Sequence, residues 1–181
     1  MWQSIALAVT GQPARRLGKD ILEKNPVPNF VTFEEARSFI GKEVGISPWL
    51  EITQQRVNQF AEATGDFQFI HVDKERAIAE TPFGGTIAHG FLTLSLLSTL
   101  SAQTSVIKIK DARMTINYGL DKVRFMSPVR VGKRIRARFE LLEVALKSPG
   151  NILLKHKATM EIEGEDKPAM IAEWLGMQVI L

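Results

Sequence analysis

Between Glu80 and Lys108 the chain contains no Asp, Glu, Lys or Arg, and this uncharged stretch limits the possible folds more than any other segment. Its length alone would fit a membrane span, because a transmembrane helix needs about 20 predominantly apolar residues. Its glycines and its many Ser and Thr residues are too polar for lipid, so no membrane span is expected. The stretch instead predicts a loop and then a helix over residues 91 to about 106, buried on most sides in the middle of the core.

The last third of the chain has the alternation of apolar and polar residues that is typical of β-strands. Turn residues separate the runs, and none of the intervals is long enough for a crossover helix. We therefore predict an antiparallel sheet covered on one face by the long helix, which is an α+β architecture. The predicted strands comprise residues 114–118, 123–126, 134–144, 153–162 and 170–180.

Capping residues mark shorter helices in the first half of the chain. Thr32 and Glu35 can satisfy each other's amide donors before a helix that is predicted to stop at Gly41. Thr53 is predicted to open a second helix, which Gly65 ends. The other elements predicted in this half are a strand over residues 49–52 and a short helix over residues 73–80.

A chain of 181 residues has the usual size of one domain, and no repeat divides this one. Residues 1–30 contain several prolines and no sustained periodicity, so they are predicted to be an N-terminal extension. Residues 31–181 are predicted to form a single domain.

The composition excludes several classes of protein. The chain has no Cys, which rules out disulfide scaffolds, zinc–thiolate sites and cysteine nucleophiles. A net charge of +3 suits an anionic partner, but one Tyr and no recognition helix argue against nucleic-acid binding. An Arg pair follows the apolar run at residues 5–9, whereas a secretory signal has its positive charge first, so a cytoplasmic location is predicted.

Asp66 and His71 lie in the long loop before the buried helix, and ordered loops of this length usually carry function. An Asp and a His five residues apart can face each other across a turn. A carboxylate and an imidazole that hold one water or one substrate proton suit general acid–base chemistry near neutral pH. Two structural roles stay open at this point, because Asp66 can bond backbone amides of a turn and His71 can lie near a helix cap.

His89 and Gly90 occupy the point where the loop gives way to the buried helix. The first N–H groups of a helix have no acceptor within it, and their dipole favours negative charge. Glycine lets a ligand approach the backbone closely, so Gly90 is a candidate donor to an oxyanion. The same glycine is equally consistent with a role in helix packing alone.

Two further groups of residues give less specific signals. His156 alternates with Lys155 and Lys157, so we interpret it as a strand residue on a solvated face. Cationic residues also crowd the stretch from 122 to 138, where they can steer phosphates or an acidic helix or simply form a solvated sheet face. These cations are Lys122, Arg124, Arg130, Lys133, Arg134, Arg136 and Arg138.

Three segments, taken in order, resemble the MaoC-like hydratase/dehydratase family: GDFQFIH at 65–71, PFGGTIAHGFLTLSLL at 82–97, and NYGLDKVRF with SPV at 117–129. Gln68 fits best the subgroup that resembles nodulation protein N and bacterial (3R)-hydroxyacyl-thioester dehydratases. The resemblance covers the chain from about residue 39 to its end. It implies a hot-dog fold, in which an antiparallel sheet wraps a long central helix, and a homodimer whose two sheets join edge to edge.

The resemblance also implies roles for individual residues. Asp66 and His71 match the catalytic pair of the family, and Gly90 matches the backbone donor to the thioester carbonyl. Ser98 falls where relatives have a Ser bonded to the catalytic carboxylate. The substrate-binding residues assigned in this way are His89, Gly90, Ser98 and Tyr118.

The activity that the resemblance implies is reversible hydration of trans-2-enoyl thioesters to (R)-3-hydroxyacyl thioesters, with coenzyme A or acyl carrier protein as the thiol carrier. No metal and no cofactor besides the carrier are expected. A hot-dog acyl-CoA thioesterase is one alternative, although thioesterases of this fold generally place a lone Asp or Glu on the helix or a neighbouring loop. A non-catalytic subunit that binds acyl thioesters is the other.

Overall fold

The computed structural model describes residues 30–104 and 106–180. Residues 1–29 of the predicted N-terminal extension lie outside this part of the chain. The elements follow one another in the order β1 (Phe30–Val31), α1 (Phe33–Arg37), β2 (Glu43–Ile46), β3 (Leu50–Glu51), α2 (Gln54–Thr64), α3 (Phe69–Val72), α4 (Lys74–Glu80), α5 (Gly90–Ala102), β4 (Lys108–Ile109), β5 (Ala112–Phe125), β6 (Arg134–Ser148), β7 (Asn151–Ile162) and β8 (Met170–Ile180).

One antiparallel sheet and the helix α5 contribute most residues of the core. The sheet has the strand order β2-β6-β7-β8-β5, and β3 also pairs with β6, whereas β1 and β4 form a separate parallel pair. α5 contributes Leu92, Leu96, Leu97 and Leu100 to the core. Each such Leu contributes roughly 1.5–3 kcal/mol relative to an exposed one. The predicted α+β hot-dog fold is confirmed, and no helix within residues 30–104 and 106–180 has the length and apolar character needed to cross a membrane.

The starts of α1 and α2 follow from local hydrogen bonds that the sequence predicts. The Thr32 N–H donates to Glu35 Oε2 at 2.8 Å, and the Glu35 N–H donates to Thr32 Oγ1 at 3.2 Å, which is the reciprocal cap. The Thr53 hydroxyl accepts from the Arg56 N–H at 3.3 Å at the start of α2. Gly65 ends α2 in the left-handed conformation, with φ of 76°, and so directs the chain into the loop before α3.

Several bounds differ from the prediction. The helix predicted to stop at Gly41 ends at Arg37 and continues as turns, and the buried helix ends at Ala102 rather than near residue 106. The two strands predicted around Gly119 are one strand, β5, because register shifts on both sides of residues 119–121 absorb the extra residues without breaking the pairing to β8.

The prediction that His156 lies on a solvated face is wrong. Its side chain is 4% exposed on the core side of β7, and no group hydrogen-bonds Nε2 in the described chain. Lys155 and Lys157 point away from the core, since successive side chains of a strand alternate. Burial lowers the pKa of His156 to about 4, because the charged imidazolium is poorly solvated there.

The three arginines of β6 are neutralised, so they do not form the free anion-steering face that the sequence left open. Glutamates on neighbouring segments bond each of the three arginines. The pairs are Arg134 with Glu163, Arg136 with Glu161 at 2.6 Å, and Arg138 with Glu43 at 2.8 Å. Lys122 likewise pairs with Glu173 at 2.7 Å and Lys133 with Glu165 at 3.4 Å.

Candidate active site

The loop between α2 and α5 brings Asp66 and His71 together. One carboxylate oxygen of Asp66 and one nitrogen each of His71 and His89 all lie within 4.8 Å of one another. Two hydrogen bonds of about 2.8 Å each can span such a separation. One water molecule can therefore contact Asp66 and His71 at the same time.

His71 presents one nitrogen as a proton acceptor. The residue lies in α3 with its ring 6% exposed, and Nδ1 bonds the Ile87 carbonyl at 2.8 Å. A carbonyl only accepts, so Nδ1 carries the hydrogen and the neutral ring keeps its lone pair on Nε2. Burial is the largest influence and lowers the pKa of His71 below its usual value, although the bond to Ile87 opposes this. The ring is consequently neutral at neutral pH.

One oxygen of the Asp66 carboxylate accepts a hydrogen bond within the turn, and the other faces the imidazole rings. Oδ1 accepts from the Gln68 N–H at 3.3 Å, which is the structural role that the sequence left open. Oδ2 lies 4.0 Å from His89 Nε2. The side chain is 54% exposed, so solvent reaches the carboxylate from outside the loop.

His89 packs against the His71 ring and does not line the cavity. Its ring is 2% exposed and stacks on the His71 ring with the centroids 3.8 Å apart. Its Nε2–H donates to the main-chain carbonyl of Asp66 at 3.0 Å. The buried ring contacts Asp66 and His71, and the assignment of His89 as a substrate-binding residue stays a prediction.

Gly90 lies in the wall of the same cavity as His71, and the cavity has a volume of about 320 Å³. Gly90 opens α5, no side chain caps this helix end, and its N–H has no acceptor within the helix. A Cβ at Gly90 would stand 3.2 Å from the Phe125 ring, so glycine allows this ring to pack against the helix start. The position suits a backbone donor to a bound carbonyl oxygen.

No role was assigned from the sequence to several residues that line the cavity, among them Thr93, Phe125 and Met126. Thr93 lies one helical turn after Gly90, so the spacing alone would have placed it on the same face of α5. Phe125 and Met126 directly precede the SPV segment, which borders the cavity.

Ser98 and Tyr118 lie away from this cavity. Eight residues of α-helix separate Ser98 from Gly90, which is about 12 Å at 1.5 Å per residue. The Ser98 hydroxyl accepts from Asn117 Nδ2 at 3.1 Å and lines another cavity of about 260 Å³. Tyr118 is 59% exposed at a bulge of β5. Among the described residues Ser98 bonds Asn117, and neither Ser98 nor Tyr118 lines the cavity that holds His71 and Gly90, so their roles at the site stay predictions.

The trio of Asp66, His71 and His89 also has the ligand types of a metal site. The rings of His71 and His89 are stacked with an angle of 27° between their planes. Each lone pair lies in the plane of its own ring, so the two lone pairs do not point at one ion. The arrangement suits proton transfer better than metal binding.

A family model described as MaoC like domain matches residues 35–161 of the chain. The match includes the loop, α5 and the strands that border the cavity.

Two curated proteins are similar over most of their length. Nodulation protein N of Rhizobium meliloti is 47% identical over 147 residues, which cover 81% of this chain and 91% of that protein. The 3-hydroxyacyl-thioester dehydratase Z of Mycobacterium tuberculosis is 49% identical over 144 residues, which cover 80% and 93% respectively.

The fold is also similar to solved structures. The monoamine oxidase regulatory protein from Archaeoglobus fulgius aligns with a TM-score of 0.69 at 24% identity, covering 86% of this chain and 98% of that chain. At this identity the similarity establishes the fold alone.

Proposed function

Because the chain belongs to the MaoC-like dehydratase family, we propose that it catalyses the reversible hydration of trans-2-enoyl thioesters to (R)-3-hydroxyacyl thioesters. The observation that carries the proposal is the convergence of Asp66 and His71 within reach of one water molecule. His71 also shares its cavity with Gly90, so an acyl group bound there would meet His71 and the start of α5 together.

The thioester carbonyl is the group that Gly90 would bind. Attack of water on C3 of a 2-enoyl thioester moves negative charge onto the thioester oxygen as an enolate forms. The Gly90 N–H, at the positive end of α5, stabilises that charge. Loss of one such donor typically costs about 100- to 1,000-fold in rate.

Asp66 and His71 would hold the attacking water and move its proton. The neutral His71 ring accepts at Nε2 because Nδ1–H is engaged by Ile87. As the C3–O bond forms, the water loses a proton to the pair, and C2 receives one from the same side. The sum is addition of H and OH across the double bond, and dehydration is the same path in reverse. The reaction needs water and the thiol carrier only.

The test is an assay of the full chain with trans-2-butenoyl-CoA. We expect the absorbance of the conjugated enoyl thioester to decay and chiral analysis to find the (R)-3-hydroxy product. Asp66→Asn should lower the rate by about 100- to 10,000-fold, the range of a general acid–base group. Asp111→Asn is the matched control, because Asp111 is exposed with φ of 68°, a conformation that Asn tolerates, and the rate should stay at the wild-type value.

Two results would contradict the proposal. Release of free thiol without hydration would identify a thioesterase. Binding of the acyl thioester with neither reaction, and with no effect of Asp66→Asn, would identify a non-catalytic subunit.

We infer further that two copies of the chain associate through β5. This strand forms one edge of the described sheet and exposes Met114, Ile116 and Leu120 by 42–48%. An unpaired edge with apolar side chains favours pairing with another chain. Pairing with the β5 of a second copy would cover both edges by the same contact, as a two-fold dimer requires.

A further inference from the structure

Two cavities flank one pair of extended segments. Residues 84–90 run beside residues 125–133, joined by an antiparallel bridge between Ile87 and Arg130 and by backbone hydrogen bonds of 2.7 and 3.0 Å on either side of it. The active-site cavity borders one end of this pair, and a second cavity of about 520 Å³ borders the other. We call the second cavity the basic cleft; its lining includes Lys74, Gly84, Gly85, Thr86, Arg130 and Lys133.

The basic cleft contains cations that are not paired with a carboxylate of the described residues, whereas the arginines of β6 are paired. Of its three cations, Lys133 pairs with Glu165 at 3.4 Å. Arg130 and Lys74 have no carboxylate within 4.0 Å among residues 30–104 and 106–180, in contrast to the arginines of β6. A Cβ on Gly84 would stand 3.8 Å from Arg130 Nη1, so the guanidinium lies directly beside the glycine turn.

A hydrogen-bond relay joins the basic cleft to the catalytic pair. Gln54 lines the cleft, and its Nε2 donates to the main-chain carbonyl of His71 at 2.8 Å. The Thr86 hydroxyl donates to Gln54 Oε1 at 2.6 Å. The cleft and the turn that carries His71 are therefore fixed relative to each other.

We propose that the basic cleft binds the phosphate ester that joins the pantetheine arm to the rest of the thiol carrier, with Arg130 and Lys74 as its cationic contacts. This inference rests on the proposed function, which places the thioester beside Gly90. From Gly84 to Gly90 the chain spans at most about 20 Å when fully extended. A pantetheine arm, with two amide groups in series, bridges a gap of that order. Coenzyme A and the prosthetic group of a carrier protein share this phosphate, and a guanidinium binds it by charge-assisted hydrogen bonds.

The test compares two substrates that differ only in this phosphate: trans-2-butenoyl-4′-phosphopantetheine and trans-2-butenoyl-pantetheine. The wild type should prefer the phosphorylated substrate in kcat/KM by about tenfold, and the preference should weaken with added salt. Arg130→Gln should remove most of this ratio. Lys147→Gln removes an exposed cation of β6 elsewhere and should leave the ratio at its wild-type value.

The inference would be overturned if the ratio of kcat/KM for the phosphorylated and unphosphorylated substrates were the same in the wild type and in Arg130→Gln. The inference would also be overturned if Arg130→Gln lowered kcat/KM for the thioester of coenzyme A but not for that of dephospho-coenzyme A. The cleft would then hold the 3′-phosphate. Calorimetric titration with 4′-phosphopantetheine separates this inference from the hydratase proposal. Arg130-dependent binding without turnover of any enoyl thioester would support the cleft and contradict the proposed function.

Discussion

Two backbone carbonyls determine which imidazole nitrogen can act in this site. The Ile87 carbonyl engages Nδ1–H of His71, and the Asp66 carbonyl engages Nε2–H of His89. Each neutral ring has one hydrogen, so the free acceptors are Nε2 of His71 and Nδ1 of His89. Of the two rings, the one in the cavity wall is that of His71. The stacked partner is thereby a positioning residue for both members of the pair.

Replacing His89 by Phe tests that positioning role. Phe keeps a ring against His71 but removes the donor to the Asp66 carbonyl, so we expect kcat to fall about tenfold with little change in KM. Burial is the main cause of the lowered pKa of His71, and electrostatic repulsion from His89 adds to it. The acid limb of the pH–rate profile should therefore move to higher pH in His89→Phe.

Phe60→Leu is the control for this profile, since Phe60 is the other aromatic neighbour of His89, at 5.0 Å, and carries no charge. Its acid limb should stay where the wild-type limb lies. An unmoved limb in His89→Phe would show that His89 acts through packing alone.

Among the elements, the starts of α1 and α2 and the end of α2 were predictable because the interactions that form them are local. The cap of Thr32 with Glu35 and the cap at Thr53 each need only residues three positions apart. The left-handed Gly65 similarly marks the end of α2 in the sequence. This glycine matters for the site, because Asp66 is the next residue.

Gly65→Ala should destabilise the protein and lower its activity together. A Cβ there meets no atom within 4 Å, so the expected cost of roughly 1–2 kcal/mol comes from the left-handed φ of 76°. Urea denaturation at neutral pH measures the loss. Gly65→Asn should lose less, since Asn tolerates this conformation; equal losses in the two variants would contradict the explanation by strain.

Long-range pairing explains what sequence reasoning missed among the strands. β5 is one strand because β8 stays paired across its bulges, and nothing local to Gly119 indicates this. The buried ring of His156 was predictable in principle, since its neighbours in alternation, Leu154 and Ala158, are apolar. The flanking lysines hid that signal. The expected contact between Ser98 and Asp66 came from resemblance alone, and the hydrogen bond that the structure gives the Ser98 hydroxyl is to Asn117.

For the whole molecule, the exposed edge strand predicts a dimer that one charge can disrupt. Ile116→Lys places an ammonium on β5, so we expect the mass measured by light scattering to fall from two chains to one. Leu146→Lys is the matched control, because Leu146 is 59% exposed on β6. A wild type that is monomeric, or an Ile116→Lys dimer, would contradict the edge-to-edge arrangement.

Stability of the whole fold should fall in mild acid because of His156. The pKa of His156 is about 4 in the folded state and near 6.5 in the unfolded state. Between these two pH values the unfolded chain binds a proton at His156 and the folded chain does not. The free energy of unfolding should be flat above pH 7 and drop by roughly 3 kcal/mol as the pH falls from 6.5 to 4.

Urea unfolding at several pH values measures this slope, with His156→Leu as the comparison. The variant should lose most of the slope and keep a smaller one, since the lowered pKa of His71 acts in the same direction. An unchanged slope in His156→Leu would assign the acid sensitivity to other groups.

The central claim is that Asp66 and His71 act as one unit on a single water molecule. The most direct measurement is kcat for trans-2-butenoyl-CoA hydration in Asp66→Asn, His71→Gln and the double variant. Residues that act together are strongly non-additive, so the double variant should be no slower than about the slower single variant. If the fold-reduction in kcat of the double variant equals the product of the two single reductions, the residues act independently and the claim is contradicted.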